Sequence, residues 1–148
     1  MLKELLDESL IDVNVSVNDW KEAIQAVGNL LVKNDYAEGR YTQAMIDSVI
    51  EYGPYIVIDK GIALAHARPE AGSKRIGLAI VTLNPPINFG LKENDPVQLI
   101  FGLSAIDSSS HLDLCADLAN ILLEDGAIEE ICSCKSAQEI YDLLKRKG

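Results

Sequence analysis

The chain is poor in cysteine, histidine and positive charge, and no part of it stays apolar for long. Among its 148 residues no run of eighteen apolar residues occurs, which leaves no candidate for a bilayer-spanning helix. Its first turn carries Lys3, Glu4, Asp7 and Glu8, a charged start that does not fit a secretory signal. Three cysteines, Cys115, Cys132 and Cys134, are an odd and sparse set. They predict reduced thiols in the cytoplasm rather than a disulfide framework. With 13 Lys and Arg against 23 Asp and Glu, the net charge is −10. That field argues against nucleic acid or an anionic membrane as the main partner and suits docking on a basic protein surface.

Several chemistries are missing as well. Neither G-x-x-x-x-G-K-[ST] nor G-x-G-x-x-G occurs, so no nucleotide cofactor is expected. No G-x-S-x-G marks a serine hydrolase. His111 and Cys115 stand four residues apart, but no second pair has ligand spacing, so no metal is expected. Cys132-Ser133-Cys134 is too isolated for a redox or zinc motif. The sequence shows no internal repeat, linker or low-complexity segment. Its 148 residues, 48% hydrophobic and 24% charged, suit one domain with a substantial core, residues 1–148 throughout.

What is present is an alternation of strand and helix patterns. Residues 3–10 read as a short helix or turn, and Ile11 to Val17 as a strand with one buried face. Asn18 is the expected N-cap of a helix carrying Trp20, Ile24, Val27, Leu30 and Leu31, which Asn34-Asp35 ends. A second helix starts near Gly39 with Tyr41, Ala44, Met45, Val49 and Tyr52 on one side, and Gly53-Pro54 breaks it. Tyr55 to Ile58 and Ile62 to Ala65 read as short strands. Arg75 to Leu83 and Val97 to Ile106 are longer apolar runs, as buried strands require. Asn84-Pro85-Pro86 is expected to end the first of these, with a polar loop over 87–95. Asp107-Ser108-Ser109-Ser110 then caps a helix from about His111 to Leu123. A short helix follows over 125–132, and Ser136 with Glu139 forms a capping box for the last one. Strands separated by helices predict an α/β fold: a three-layer domain with a mixed central sheet flanked on both faces.

The two histidines are the chemistry-bearing residues. His66 ends the apolar run Ile62 to Ala65, with Arg68-Pro69-Glu70 directly after, so it belongs at the rim of the sheet. A neutral imidazole is a competent nucleophile near pH 7. Arg68, two residues on, can hold a phosphate or carboxylate bidentately. His111 falls in the first turn of its helix, where free N–H groups and the dipole favour an anion and disfavour imidazolium. Convergence of these groups in one crevice would suit a phosphoryl dianion bonded to nitrogen. The structural readings are a hydrogen-bonded rim histidine, a capped core-edge histidine and an unpartnered surface arginine, and pattern alone leaves them open. The carboxylates Glu38, Asp47 and Glu51 are spaced as a solvated helix face.

The segment Gly61-Ile-Ala-Leu-Ala-His66-Ala-Arg-Pro-Glu70, preceded by Glu51-Tyr-Gly-Pro-Tyr-Ile-Val-Ile58, resembles the phosphorylation segment of IIA components of the phosphoenolpyruvate-dependent sugar phosphotransferase system. Within the mannitol/fructose-type superfamily the chain is most similar to the ascorbate-type IIA proteins. Arg40-Tyr41-Thr-Gln-Ala44, Leu78 to Pro86 and Asn94-Asp-Pro-Val97 support the likeness, which runs from about residue 20 to residue 144. The resemblance implies that His66 takes a phosphoryl group on Nε2 from the phosphohistidine of the carrier HPr and passes it to a cysteine of a cognate IIB protein. It implies that His111 helps hold the group and that sugar is handled elsewhere, by a membrane IIC component. Mannitol-type proteins carry an arginine on the helix before the active strand, where this chain has Ser48; Arg68 or Arg40 is left to supply that charge. Ala65 stands where many relatives have proline. A regulatory phosphoacceptor, a carrier for another sugar acid, pentitol, mannitol or fructose, and a scaffold with structural histidines are the rival readings. The sequence leaves self-association open.

Overall fold

The computed structural model describes residues 1–147, the side chains of Ser108 and Ser110 excepted. The helices are α1 (Leu2–Leu5), α2 (Trp20–Lys33), α3 (Arg40–Tyr52), α4 (Ser108–Leu122), α5 (Ala127–Ser133) and α6 (Ala137–Lys147). The strands are β1 (Ile11–Val15), β2 (Val57–Asp59), β3 (Ile62–Ala65), β4 (Gly77–Ile87) and β5 (Val97–Ser104), and 3-10 turns cover Glu8–Leu10 and Pro69–Ala71. The five strands form one mixed sheet in the order β1-β4-β5-β3-β2. β1 runs parallel to β4 and β3 parallel to β5, while the pairs β4/β5 and β2/β3 are antiparallel. This is the expected α/β architecture.

Side-chain parity along the strands decides which helices cover which face. Ala63, Ala65, Ala79, Val81 and Ile100 meet Ile24, Val27 and Leu31 of α2 and Tyr41, Met45 and Val49 of α3. The alternate residues Ile62, Leu64, Leu78, Ile80, Leu99, Phe101 and Leu103 meet Leu114, Leu118 and Ile121 of α4, Ile131 of α5, and Ile140 and Leu144 of α6. The α2 side of the inner strands is built from small residues, and this lets α2 lie close. At Gly102 an added Cβ would stand 2.7 Å from Val27 Cβ.

Several boundaries differ from the sequence expectation, each for a local reason. β1 ends at Val15 rather than Val17. Asn14 takes a φ of 53° and gives its N–H to the Thr82 hydroxyl, so the pairing with β4 slips between Asp12 and Val15. The N-cap of α2 is Asp19, not Asn18. The Asp19 carboxylate accepts from the Glu22 N–H at 2.9 Å, and Glu22 reaches back to the Asn18 N–H at 2.9 Å, a capping box set one residue later. The strand expected over Tyr55 to Ile58 is β2, shifted to Val57–Asp59.

β4 starts at Gly77 rather than Arg75 and continues through Asn84-Pro85-Pro86 to Ile87. Its pairing with β5 jumps from Thr82↔Leu99 to Ile87↔Val97, and its pairing with β1 stops at Leu83. The prolines therefore sit exposed in an irregular stretch where no ladder N–H is required of them. β5 ends at Ser104, whose hydroxyl donates to the backbone carbonyls of Arg75 and Tyr36. α4 begins at Ser108, three residues before the expected start; the hydroxyl caps expected of Ser108 and Ser110 lie outside the described side chains. Ser136 accepts from the Glu139 N–H at 3.2 Å, while the return bond from Glu139 goes to the Lys135 N–H at 2.8 Å. Tyr52, expected on the inward side of α3, is 66% exposed.

Candidate functional site

Both histidines reach one end of the sheet because of the topology. β3 and β5 are parallel neighbours, with Ala65 opposite Gly102, so their carboxyl ends share a rim. Ile62 and Leu64 face α4, and the same parity carried one step past Ala65 turns His66 to that side. From β5 the chain passes through Ala105, Ile106 and Asp107 into α4, which places His111 fourth in that helix. The two imidazoles meet with ring centroids 5.8 Å apart and planes at 79°. A crevice at the carboxyl ends of adjacent strands is where α/β sheets hold ligands.

His66 is locked by its own strand. Its Nδ1 lies 3.2 Å from the Leu64 carbonyl oxygen. A carbonyl only accepts, so Nδ1 carries the proton and Nε2 keeps its lone pair. Tyr55 stands edge-on to the His66 ring at 5.7 Å and 90°, and Tyr52 meets Tyr55 at 6.4 Å and 82°. Together with Tyr41, Arg68, Asp107, His111 and Leu112 these residues line an open hollow of about 460 Å³. His111 is half-buried, and its pKa is lowered first by burial and then by its electrostatic interaction with His66. It is therefore neutral at pH 7, able to donate one hydrogen bond into the hollow.

The structure separates the candidate cations. Arg68 is exposed, lines the hollow and makes no ion pair among the described residues. Arg40 is engaged elsewhere: its Nε donates to Glu38 at 2.7 Å and its Nη1 to the Glu70 carbonyl at 3.1 Å. Ser48 also lines the hollow, and its hydroxyl donates to the Ala44 carbonyl.

Three residues at the site carry no binding or catalytic expectation from the sequence. Tyr41 reads as an apolar helix-face position and Tyr55 as strand, both inside segments that carry the family likeness, and Asp107 reads as a cap. The thiols stay outside the site. All three cysteines are free, and burial raises their pKa values, that of Cys132 to about 11. Among the described residues no group of three or more His, Cys, Asp or Glu side chains could hold a metal ion, and no helix is long and apolar enough to cross a membrane.

Solved structures that share this fold include phosphotransferase IIA proteins. The mannitol-specific cryptic phosphotransferase enzyme IIA of Escherichia coli superposes with a TM-score of 0.87 at 34% identity, over 98% of each chain. The IIA partner in a complex of mannitol IIA with phosphorylated mannitol IIB, also from Escherichia coli, superposes with a TM-score of 0.83 at 28% identity, over 94% of this chain and 96% of that one. In sequence, a Salmonella choleraesuis protein named ascorbate-specific PTS system EIIA component is 36% identical over 143 residues, 96% of this chain and 93% of its own. Residues 4–147 match the family described as phosphoenolpyruvate-dependent sugar phosphotransferase system, EIIA 2, and the chain belongs to that family. It is a IIA component of a phosphotransferase system.

Proposed function

We propose that residues 1–148 form one cytoplasmic IIA unit of an L-ascorbate phosphotransferase system. In this reading His66 accepts a phosphoryl group from phosphorylated HPr and delivers it to a cysteine of the cognate IIB protein. The observation that carries it is the His66 geometry: Nδ1–H is committed to the Leu64 carbonyl, and Nε2 is free beside His111 in an open hollow. The Nε2 lone pair forms the new N–P bond as the donor's N–P bond breaks, and the electron pair returns to the donor nitrogen. Delivery is the same exchange with a thiolate as the incoming nucleophile. Neither step needs a cofactor, because positioning and charge stabilisation dominate phosphoryl transfer.

His111, neutral and at the amino end of α4, donates a hydrogen bond to a phosphoryl oxygen, aided by the positive end of the helix. Arg68 adds a positive charge at the mouth of the hollow, which suits the position that Ser48 leaves without one. Ascorbate is supported by the names of relatives at 36% identity over nearly the whole chain. A mannitol system is the second reading, favoured by the structural match at 34% identity.

The test is reconstitution with phosphoenolpyruvate, enzyme I and HPr. Acid-labile label should appear on the native chain and vanish in His66→Ala. His111→Ala should still accept slowly but deliver poorly to IIB. Purified ascorbate-type and mannitol-type IIB proteins, offered in turn, decide between the two systems. No label on the native chain overturns the carrier reading, and a His111→Ala variant with native rates in both directions overturns the role given to His111.

A further inference from the structure

Two segments deliver the imidazoles: the turn after β3 carries His66, and the turn after β5 leads to His111. One buried hydroxyl joins them. Tyr41, in the first turn of α3, is 1% exposed, and its ring sits in the core against the α2 side of the sheet. Its hydroxyl donates to the Leu103 carbonyl at 2.6 Å and accepts from the Ala67 N–H at 3.1 Å. Ala67 is covalently bonded to His66, and Leu103 is the penultimate residue of β5. The sheet pairing of these strands ends earlier, at Ala65, two residues before Ala67, and Gly102, one before Leu103. Beyond that point the Tyr41 hydroxyl replaces the ladder as the tie between the two chains. Its phenol is also held un-ionised, chiefly by burial, so it remains a donor at every working pH.

We propose that Tyr41 is a positioning residue for phosphoryl transfer: by bridging Ala67 and Leu103 it sets the spacing and facing of His66 and His111. It touches no reacting atom and acts through the backbone that carries both rings. The inference rests on the carrier reading for its kinetic consequence, but its geometric content can be measured without any transfer. A displacement of about 1 Å in such a pair is enough to slow a positioned reaction by one or two orders of magnitude.

The experiment compares the native chain, Tyr41→Phe and a control, Tyr36→Phe, which removes a half-buried hydroxyl whose partner is Asp7. Both imidazoles are titrated by NMR, and transfer is timed against phosphorylated HPr and IIB. In Tyr41→Phe the His111 titration should move up toward that of a free histidine as the rings separate. Delivery should slow about tenfold while the KM for phosphorylated HPr stays the same, as loss of orientation rather than of docking requires. Tyr36→Phe should change neither. If the native chain takes no label, the carrier reading falls, while the titrations still decide the bridge. An unshifted His111 titration and native rates in Tyr41→Phe overturn the proposal, as does an equal effect from Tyr36→Phe. Should Tyr41→Phe fail to fold, amide exchange in the native chain decides. The Ala67 N–H should exchange at least tenfold more slowly than in an unstructured peptide, and an unprotected Ala67 overturns the bridge.

Discussion

Replacing Gly102 by alanine tests whether α2 packs on the sheet as tightly as described. The new methyl would stand 2.7 Å from Val27 Cβ and 2.9 Å from Val27 Cγ2, against 3.4 Å at the near limit of ordinary contact. Relief requires α2 and β5 to part by about 0.7 Å, at the centre of a sheet whose residues are fully buried. Overpacking of this kind costs about 2 kcal/mol. The assay is urea unfolding, with the midpoint falling and the m-value unchanged. Val27→Ala alone removes two methyls from a fully buried position, also at about 2 kcal/mol. Alanine at position 27 keeps the Cβ that would stand 2.7 Å from the new methyl, so the double variant relieves only the Cγ2 contact. It should lose more than either single variant and somewhat less than the additive value of about 4 kcal/mol. A Gly102→Ala loss under about 0.5 kcal/mol would refute the close approach of α2.

The pH dependence of stability should carry a signature of His111. Its pKa is lowered in the folded state, so the unfolded chain binds the proton more readily. Stability from this group is full above the unfolded histidine value of about 6.5 and is lost as pH falls below it toward the folded value. Urea midpoints of the native chain should therefore drop between pH 7 and pH 5 by more than those of His111→Gln; equal slopes would contradict the half-buried placement. Cys132, raised from 9.0 to about 11 by burial first, should hold about a hundredfold less thiolate than an ordinary cysteine. Labelling by a disulfide reagent at neutral pH should be correspondingly slow in the native chain and fast in urea, and rapid native labelling of Cys132 would rule the burial out.

How much of this was legible in the sequence depended on whether the signal was local. β3 was readable to the residue, because Ile62 to Ala65 is bounded by Gly61, at a φ of 75°, and by Arg68-Pro69. The meeting of His66 and His111 was also readable, since a strand end and a helix start fed by neighbouring strands of one sheet converge at one rim. The end of β4 was not. Proline forbids a strand only where the ladder asks for its N–H, and the slip between Thr82 and Ile87 is a property of the partner strand. The cap of α2 was misplaced by one residue because Asn18 and Asp19 are both good caps, and only the backbone decides between them. Tyr41 was legible as a core residue four before Met45. Its hydroxyl was hidden, because its partners are backbone groups 26 and 62 residues away, and backbone leaves no mark in a sequence. The same holds for Arg40 and Arg68, which composition cannot tell apart; Glu38 and the Glu70 carbonyl remove the first from contention.

The bond from the His66 ring to the Leu64 carbonyl spans only two residues of one strand. The choice of which ring nitrogen keeps its lone pair is thus made within the His66 segment itself. The rest of the hollow's lining, Tyr52, Tyr55 and Leu112 among it, comes from other segments. With His66 as the acceptor proposed above, such a division would let substitutions around the hollow redirect the chain to a different recipient while the acceptor atom stays the same.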